Sequence, residues 1–158
     1  MKKPKIYLET TLFNYYFDSD RDAHPDTVKL FKEIAAGKYE AYTSNAVTDE
    51  LQAAPEPKNT MMLALIDEYK IITLTADDTV EKLVAIYIAE GIIPAKYKTD
   101  GVHIAVAAVN GLDYVISMNF QHIVKLKVKR MANAVNVFKG YQPVEIISPM
   151  EVIDNENA

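Results

Sequence analysis

The 158-residue sequence contains no cysteine. That excludes a disulfide framework and any cysteine-ligated metal, and it fits a reducing, cytoplasmic setting. No apolar run reaches the length of a membrane span, so no membrane partner is expected. The opening "MKKPKIYLET" is basic, but the apolar stretch behind it is far too short for a secretory signal. No glycine-rich loop follows the first apolar segment, which removes the dinucleotide fingerprint and the P-loop. There is no G-x-S-x-G elbow and no H-E-x-x-H pair. A surplus of basic charge is missing too: the formal net charge is −5. A protein that simply coats nucleic acid through a broad positive surface is thereby disfavoured. An enzyme that reaches nucleic acid through metals held by acidic residues is not.

What is present is the composition of a globular protein: 49% hydrophobic and 25% charged residues. No repeat or linker divides the chain, so residues 1–153 read as one domain and "DNENA", residues 154–158, as a polar tail. Five strand-like segments are legible, "KIYLE", "YEAYTS", "KIITLT", "DYVISM" and "VEIIS". Helical spacing lies between them, over residues 26–36, 45–54, 60–69, 79–91, 100–111 and 121–138. Asp26 reads as an N-cap and Gly37 as a C-terminal stop. The segment from Asp100 is apolar on nearly all sides and should be buried. Strands alternating with helices predict an α/β fold with a mostly parallel sheet covered on both faces.

Such sheets bind ligands beyond the carboxyl ends of their strands, where strand order reverses. Glu9, Thr10 and Thr11 follow the first strand. Thr43, Ser44 and Asn45 follow the second, with Asp49 and Glu50 in the next helix. Asp77 and Asp78 follow the third and read as structural residues of a helix start. Asp113 precedes the fourth strand and falls at the opposite pole. Asn119 ends the fourth strand, with His122 close behind and Asp100 opening the buried helix. Each acid has a plain alternative: Glu9 a solvated strand end, Glu50 an exposed helix charge, Asp100 a helix cap. His103, on the buried helix, reads as a satisfied core histidine. Taken together, carboxylates, an amide and hydroxyls from distant segments form a hard-oxygen set suited to Mg²⁺ or Mn²⁺ and phosphate chemistry.

Over nearly the whole chain this pattern resembles the PIN domain, a family of metal-dependent nucleases that includes the VapC-like toxins. The matching segments are "IYLETTLFNYY" with Glu9, "YTSNAVTDEL" with Glu50, and "TDGVHIAVAAVNGLDYVISMNF" with Asp100 and Asn119. The last is the most specific. Two departures stand out. The family's first acid is usually Asp and here is Glu9; its fourth position is often Asp and here is Asn119. Three carboxylates remain, enough for one divalent ion and marginal for two.

The resemblance implies a Mg²⁺- or Mn²⁺-dependent endoribonuclease with catalytic residues Glu9, Glu50, Asp100 and Asn119. Glu9, Glu50 and Asp100 would ligate the metal, and Thr10 and Ser44 would orient water or phosphate. It implies RNA as substrate, 5′-phosphate and 3′-hydroxyl products, a homodimer, and an antitoxin as partner. The cluster Lys125, Lys127, Lys129 and Arg130 is either a guide for the RNA backbone or a solvated helix face. One rival is a binding module that keeps the fold without catalysis. The other is a phosphatase on a doubly wound sheet, against which "LETTL" lacks the D-x-D pattern.

Overall fold

The computed structural model describes residues 2–153; the tail read at 154–158 lies outside the described residues. A five-stranded sheet, all parallel, runs in the order β3-β2-β1-β4-β5. The strands are β1 (Lys5–Leu8), β2 (Glu40–Ser44), β3 (Ile72–Leu74), β4 (Tyr114–Ile116) and β5 (Glu145–Ile147). Ile6, Tyr7 and Leu8 on β1 are all buried. Successive side chains point to opposite faces, so both faces of the central strand are covered. β3 is the exposed edge, with Ile72 half open to solvent.

Among the described residues eight helices accompany the sheet: α1 (Thr10–Phe17), α2 (His24–Ala35), α3 (Asn45–Ala53), α4 (Lys58–Glu68), α5 (Asp78–Ala89), α6 (Lys98–Val109), α7 (Leu126–Phe138) and α8 (Pro149–Val152). α1 packs on α2, α3 and α4, while α6 packs chiefly on α5. α6 can come close because its inner face is small. A Cβ on Gly101 would already meet Ile93 Cδ1 at 3.3 Å and Val84 Cγ1 at 3.4 Å.

Several boundaries differ from the sequence reading, each for a physical reason. α1 was not legible, because "TTLFNYYF" is rich in β-branched and aromatic residues of modest helix propensity. Burial of Leu12 and Phe13 against the neighbouring helices overrides that. Asp26 lies inside the first turn of α2, not at its cap; Ala23 takes the cap position and Pro25 the first turn. Gly37 does end α2, at φ +82°. α6 opens at Lys98, so Asp100 sits in its first turn and Tyr97, not Asp100, takes the cap position. α7 opens at Leu126, not Gln121. Residues 119–124 instead form a turn closed on Asn119, whose carbonyl accepts from the Ile123 and Val124 N–H groups. Asp77 caps α5 by accepting from Val80 N at 3.1 Å, and Asp113 accepts from Lys5 N at 2.8 Å; both are structural, as read.

Candidate active site

Strand order reverses between β1 and β4, the position where open parallel sheets leave a crevice. Glu9 leaves β1 at that point. Its N–H donates to Ile116 O at 3.1 Å, continuing the pairing with β4. It is only 4% exposed, which disposes of a solvated strand end. Its Oε1 accepts from the Thr11 hydroxyl at 2.5 Å and the Ser117 hydroxyl at 2.7 Å. Ser117 Oγ accepts in turn from Asn119 N at 2.9 Å, and Thr11 Oγ1 from Met118 N at 2.9 Å. The start of α1 and the end of β4 are thus tied through one carboxylate oxygen. Oε2 takes no hydrogen bond from the described residues. Among the described residues no buried side-chain oxygen lacks a partner, so Oε2 is the edge that still meets solvent.

Glu50 reaches the same end of the sheet from α3. Its Oε1 accepts from the Thr10 hydroxyl at 2.8 Å and lies 3.3 Å from His103 Nε2. His103 is buried in α6, with Nδ1 2.7 Å from the Tyr7 hydroxyl. Tyr7 also bonds Ser44 Oγ at 2.7 Å. A polar chain therefore runs Ser44–Tyr7–His103–Glu50 from the core outward. Burial pushes the Tyr7 phenol far up, with the Glu9 and Glu50 charges adding to it, so Tyr7 stays neutral at physiological pH. For Glu50, burial alone would raise its pKa. The bonds from His103 and Thr10 outweigh it and hold the carboxyl below its ordinary value.

Asp100 enters from the first turn of α6, half-buried. Its Oδ1 accepts from Asn119 Nδ2 at 3.3 Å. Asn119 Oδ1 accepts from His122 N at 3.1 Å, which orients the amide with its nitrogen toward Asp100. Asn119 therefore offers the carboxylate a donor, and its oxygen is committed to the turn. The Asp100 carboxyl is pushed above its ordinary value, first by burial and further by the Glu9 and Glu50 charges. His103 and His122 partly offset this. Asp100 thus senses both of the other carboxylates.

The structure thus brings together Glu9, Glu50, Asp100, Asn119 and Thr10 at one end of the sheet. Ser44 is different: it is fully buried, capping α3 by accepting from Ala46 N and bonding Tyr7, so it cannot meet a substrate. His103 is a core histidine, as read, but one of its nitrogens serves the site. Ser117 was missed, and Thr11 was named at the strand end without a role. A hydroxyl next to a strand end carries no local signal of its partner.

The donor set fits a hard divalent ion. Each carboxylate has one oxygen held by protein donors and one left over. Among the described residues no three acidic or imidazole groups close into a ready ligand cage. A groove runs beside Glu50, lined by Asp49, Glu81, Lys98 and Thr99.

No protein-family model matches the sequence, and no curated protein matches it significantly. Solved structures do match. VapBC2 from Rickettsia felis, bound to a DNA fragment from its promoter, aligns over 91% of this chain and 98% of its own, at TM-score 0.57 and 14% identity. VapBC-5 from Mycobacterium tuberculosis, of the VapBC family of toxin–antitoxin systems, aligns over 91% and 98%, at 0.51 and 21%. VapC20 from the same organism, a toxin that cleaves the sarcin–ricin loop, aligns over 70% and 86%, at 0.50 and 15%. At these identities the likeness is one of fold: the chain adopts the PIN-like α/β fold that these VapBC proteins share.

Proposed function

We propose that the protein is a Mg²⁺- or Mn²⁺-dependent endoribonuclease, the toxin of a toxin–antitoxin pair. One observation carries the reading. Carboxylates from three separate segments face the switch point of the sheet without closing into a cage, and each keeps one oxygen outside the hydrogen bonds of the described residues. When bound, the metal supplies Lewis acidity toward the phosphodiester and lowers the pKa of a water. Glu9, Glu50 and Asp100 are the residues that would hold it.

The chain's own groups divide the remaining work. Thr11 and Ser117 lock Glu9, while Thr10 and His103 lock Glu50, so neither rotates away on substrate arrival. Glu50 stays ionised because its partners hold its pKa down. Asp100 has one oxygen, Oδ2, outside the hydrogen bonds of the described residues, and that atom would face the metal or its water. Asn119 keeps Asp100 in place through its amide N–H. Attack on phosphorus in line with the 3′-oxygen then leaves a 3′-hydroxyl and a 5′-phosphate.

The reading extends to organisation. Residues 1–153 act as one domain. An antitoxin and a second copy of the chain are the protein partners, and the setting is the cytoplasm. Support comes from the toxin–antitoxin character of the fold neighbours and from exposed apolar side chains at Leu126, Val137, Phe138 and Met150. Among the described residues no helix is long and apolar enough to cross a membrane.

The test is cleavage of mixed structured and single-stranded RNAs by the purified protein in Mn²⁺, Mg²⁺ or EDTA, beside Glu9→Gln and Asp100→Asn. Metal-dependent cleavage lost in both variants is the expected outcome. A wild type that cuts nothing, or variants that cut equally well, would overturn it. A second reading, a PIN-like binding module without catalysis, is favoured by one fact: Asn119 brings no charge and its oxygen is already engaged. Calorimetry of Mn²⁺ binding without turnover would select it.

A further inference from the structure

Two connections meet beside the carboxylates. A 3-10 turn (Ala95–Tyr97) leads into α6, and residues 117–125 lead from β4 into α7. They meet ring on ring: Tyr97 and His122 have centroids 4.1 Å apart and planes 31° from parallel. Tyr97 is 36% exposed and Phe120, next to Asn119, is 50% exposed. Lys96 Nζ lies 5.1 Å from the Tyr97 centroid and has no acidic partner among the described residues. The stack is part of the site's surroundings. Asn119 holds the backbone N–H of His122, and the His122 charge acts on Asp100.

Ring stacking alone would pin the two loops without exposing so much aromatic surface. Buried and half-buried rings do that work elsewhere in the chain, where Phe13, Phe31, Tyr16 and Tyr69 interlock edge to face. Here Tyr97 and Phe120 keep 36% and 50% of their surface exposed beside a site suited to a phosphodiester, with the Lys96 ammonium near one ring. An unpaired nucleobase matches that surface. It presents a π-face to any aromatic ring, whereas a base inside a duplex has both faces covered by its neighbours.

We propose that Tyr97, His122 and Phe120 form a stacking platform for one unpaired nucleobase adjoining the scissile phosphate, so that the site selects single-stranded or looped RNA. The proposal rests on the ribonuclease reading. The incoming base takes the open ring surface, and the Lys96 ammonium, released from Tyr97, pairs with a backbone phosphate.

The experiment measures fluorescence anisotropy of fluorescein-labelled oligoribonucleotides with the full chain in EDTA, so that nothing is cut. The probes are one single strand, its duplex, and single strands with an abasic unit at each position in turn. Binding to the single strand should exceed binding to the duplex, and one abasic position should weaken binding by about ten-fold, the scale of one base–aromatic stack. Tyr97→Ala should weaken the intact strand equally and abolish sensitivity to that abasic position, and Tyr97→Phe should restore both. Phe120→Ala, which removes an exposed ring, gives a second variant should Tyr97→Ala fail to fold. No binding to any probe, equal binding of abasic and intact strands, or abasic sensitivity that persists in the alanine variants would overturn the platform. Its failure is separable from that of the nuclease. Metal-dependent cleavage without abasic sensitivity sinks the platform alone, and a stacking-dependent complex that never cleaves sinks the nuclease alone.

Discussion

Glu50 and Asp100 carry the same functional group in opposite environments. Glu50 has a folded-state pKa below its unfolded one. Its contribution to stability is therefore present above the unfolded value and disappears as pH falls through the folded value. Asp100 has a folded-state pKa above its unfolded one. Its ionised form opposes folding at neutral pH, and acidification through the folded value relieves that. Replacement by amides should separate the two. In EDTA at neutral pH, Glu50→Gln should lower the melting temperature and Asp100→Asn should raise it. Both carboxylates meet solvent, so each effect should stay under about 1 kcal/mol, a few degrees for a domain of this size. Thermal unfolding that moves both variants in the same direction would refute this electrostatic account. The same pair of measurements bears on function, since an Asp100→Asn variant that is better folded yet inactive cannot owe its inactivity to unfolding.

At the scale of elements, the packing of α6 on α5 decides where Asp100 sits. Gly101 follows it directly, with Ile93 and Val84 at contact distance from an added Cβ. Gly101→Ala should be nearly neutral, because a gain of roughly 1 kcal/mol in helix propensity offsets a tight contact. Gly101→Val adds two more methyl groups to that contact and should cost about 1–3 kcal/mol as overpacking. Chemical denaturation of the two variants checks it; a valine as stable as the wild type would mean the helices separate without cost. Most elements were legible from periodicity, and the five strands and the buried helix fall where their patterns place them. The failures share a cause. α1 was missed because its aromatic and β-branched residues signal a strand as readily as a helix, and tertiary burial settled the matter. α7 was started too early because the apolar spacing of "QHIVKL" continues the helix pattern, while a turn closed on Asn119 interrupts the backbone.

For the whole molecule, a net charge of −5 must be reconciled with the RNA substrate proposed for it. Repulsion between the two is expected everywhere except near the local lysines. Lys125, Lys127 and Arg130 on and before α7 are exposed, and none has an ion pair among the described residues. Lys96 adds a fourth cation beside Tyr97. Single-stranded RNA should therefore bind with a modest salt dependence. Three or four contacts give a log–log slope of roughly −2 to −3, at about −0.7 per phosphate neutralised. A titration of binding against salt concentration reads the slope directly. A value near zero would leave these lysines without a role, and one of about −5 or steeper would require a basic surface the chain does not have.

Local patterns were enough to set out the parallel α/β sheet, the end of it where open sheets leave a crevice, and Glu9, Glu50, Asp100 and Asn119 as residues near that end. Those properties follow from hydrophobic period and from the order of elements, which are short-range features written along the chain. The partners of these groups were decided only by the tertiary structure. Ser117 meets Glu9 across 108 residues and Tyr7 meets His103 across 96. Such contacts exist because β1 lies between β2 and β4 in the sheet, and nothing in the neighbouring residues of either partner encodes that placement. The same holds for Ser44, whose hydroxyl turns inward to Tyr7, and for Asn119, whose amide is oriented by the turn that follows it. Hydrogen bonding in a buried site is satisfied by whichever groups the fold delivers, so the roles of these side chains became readable only once the strands were in order.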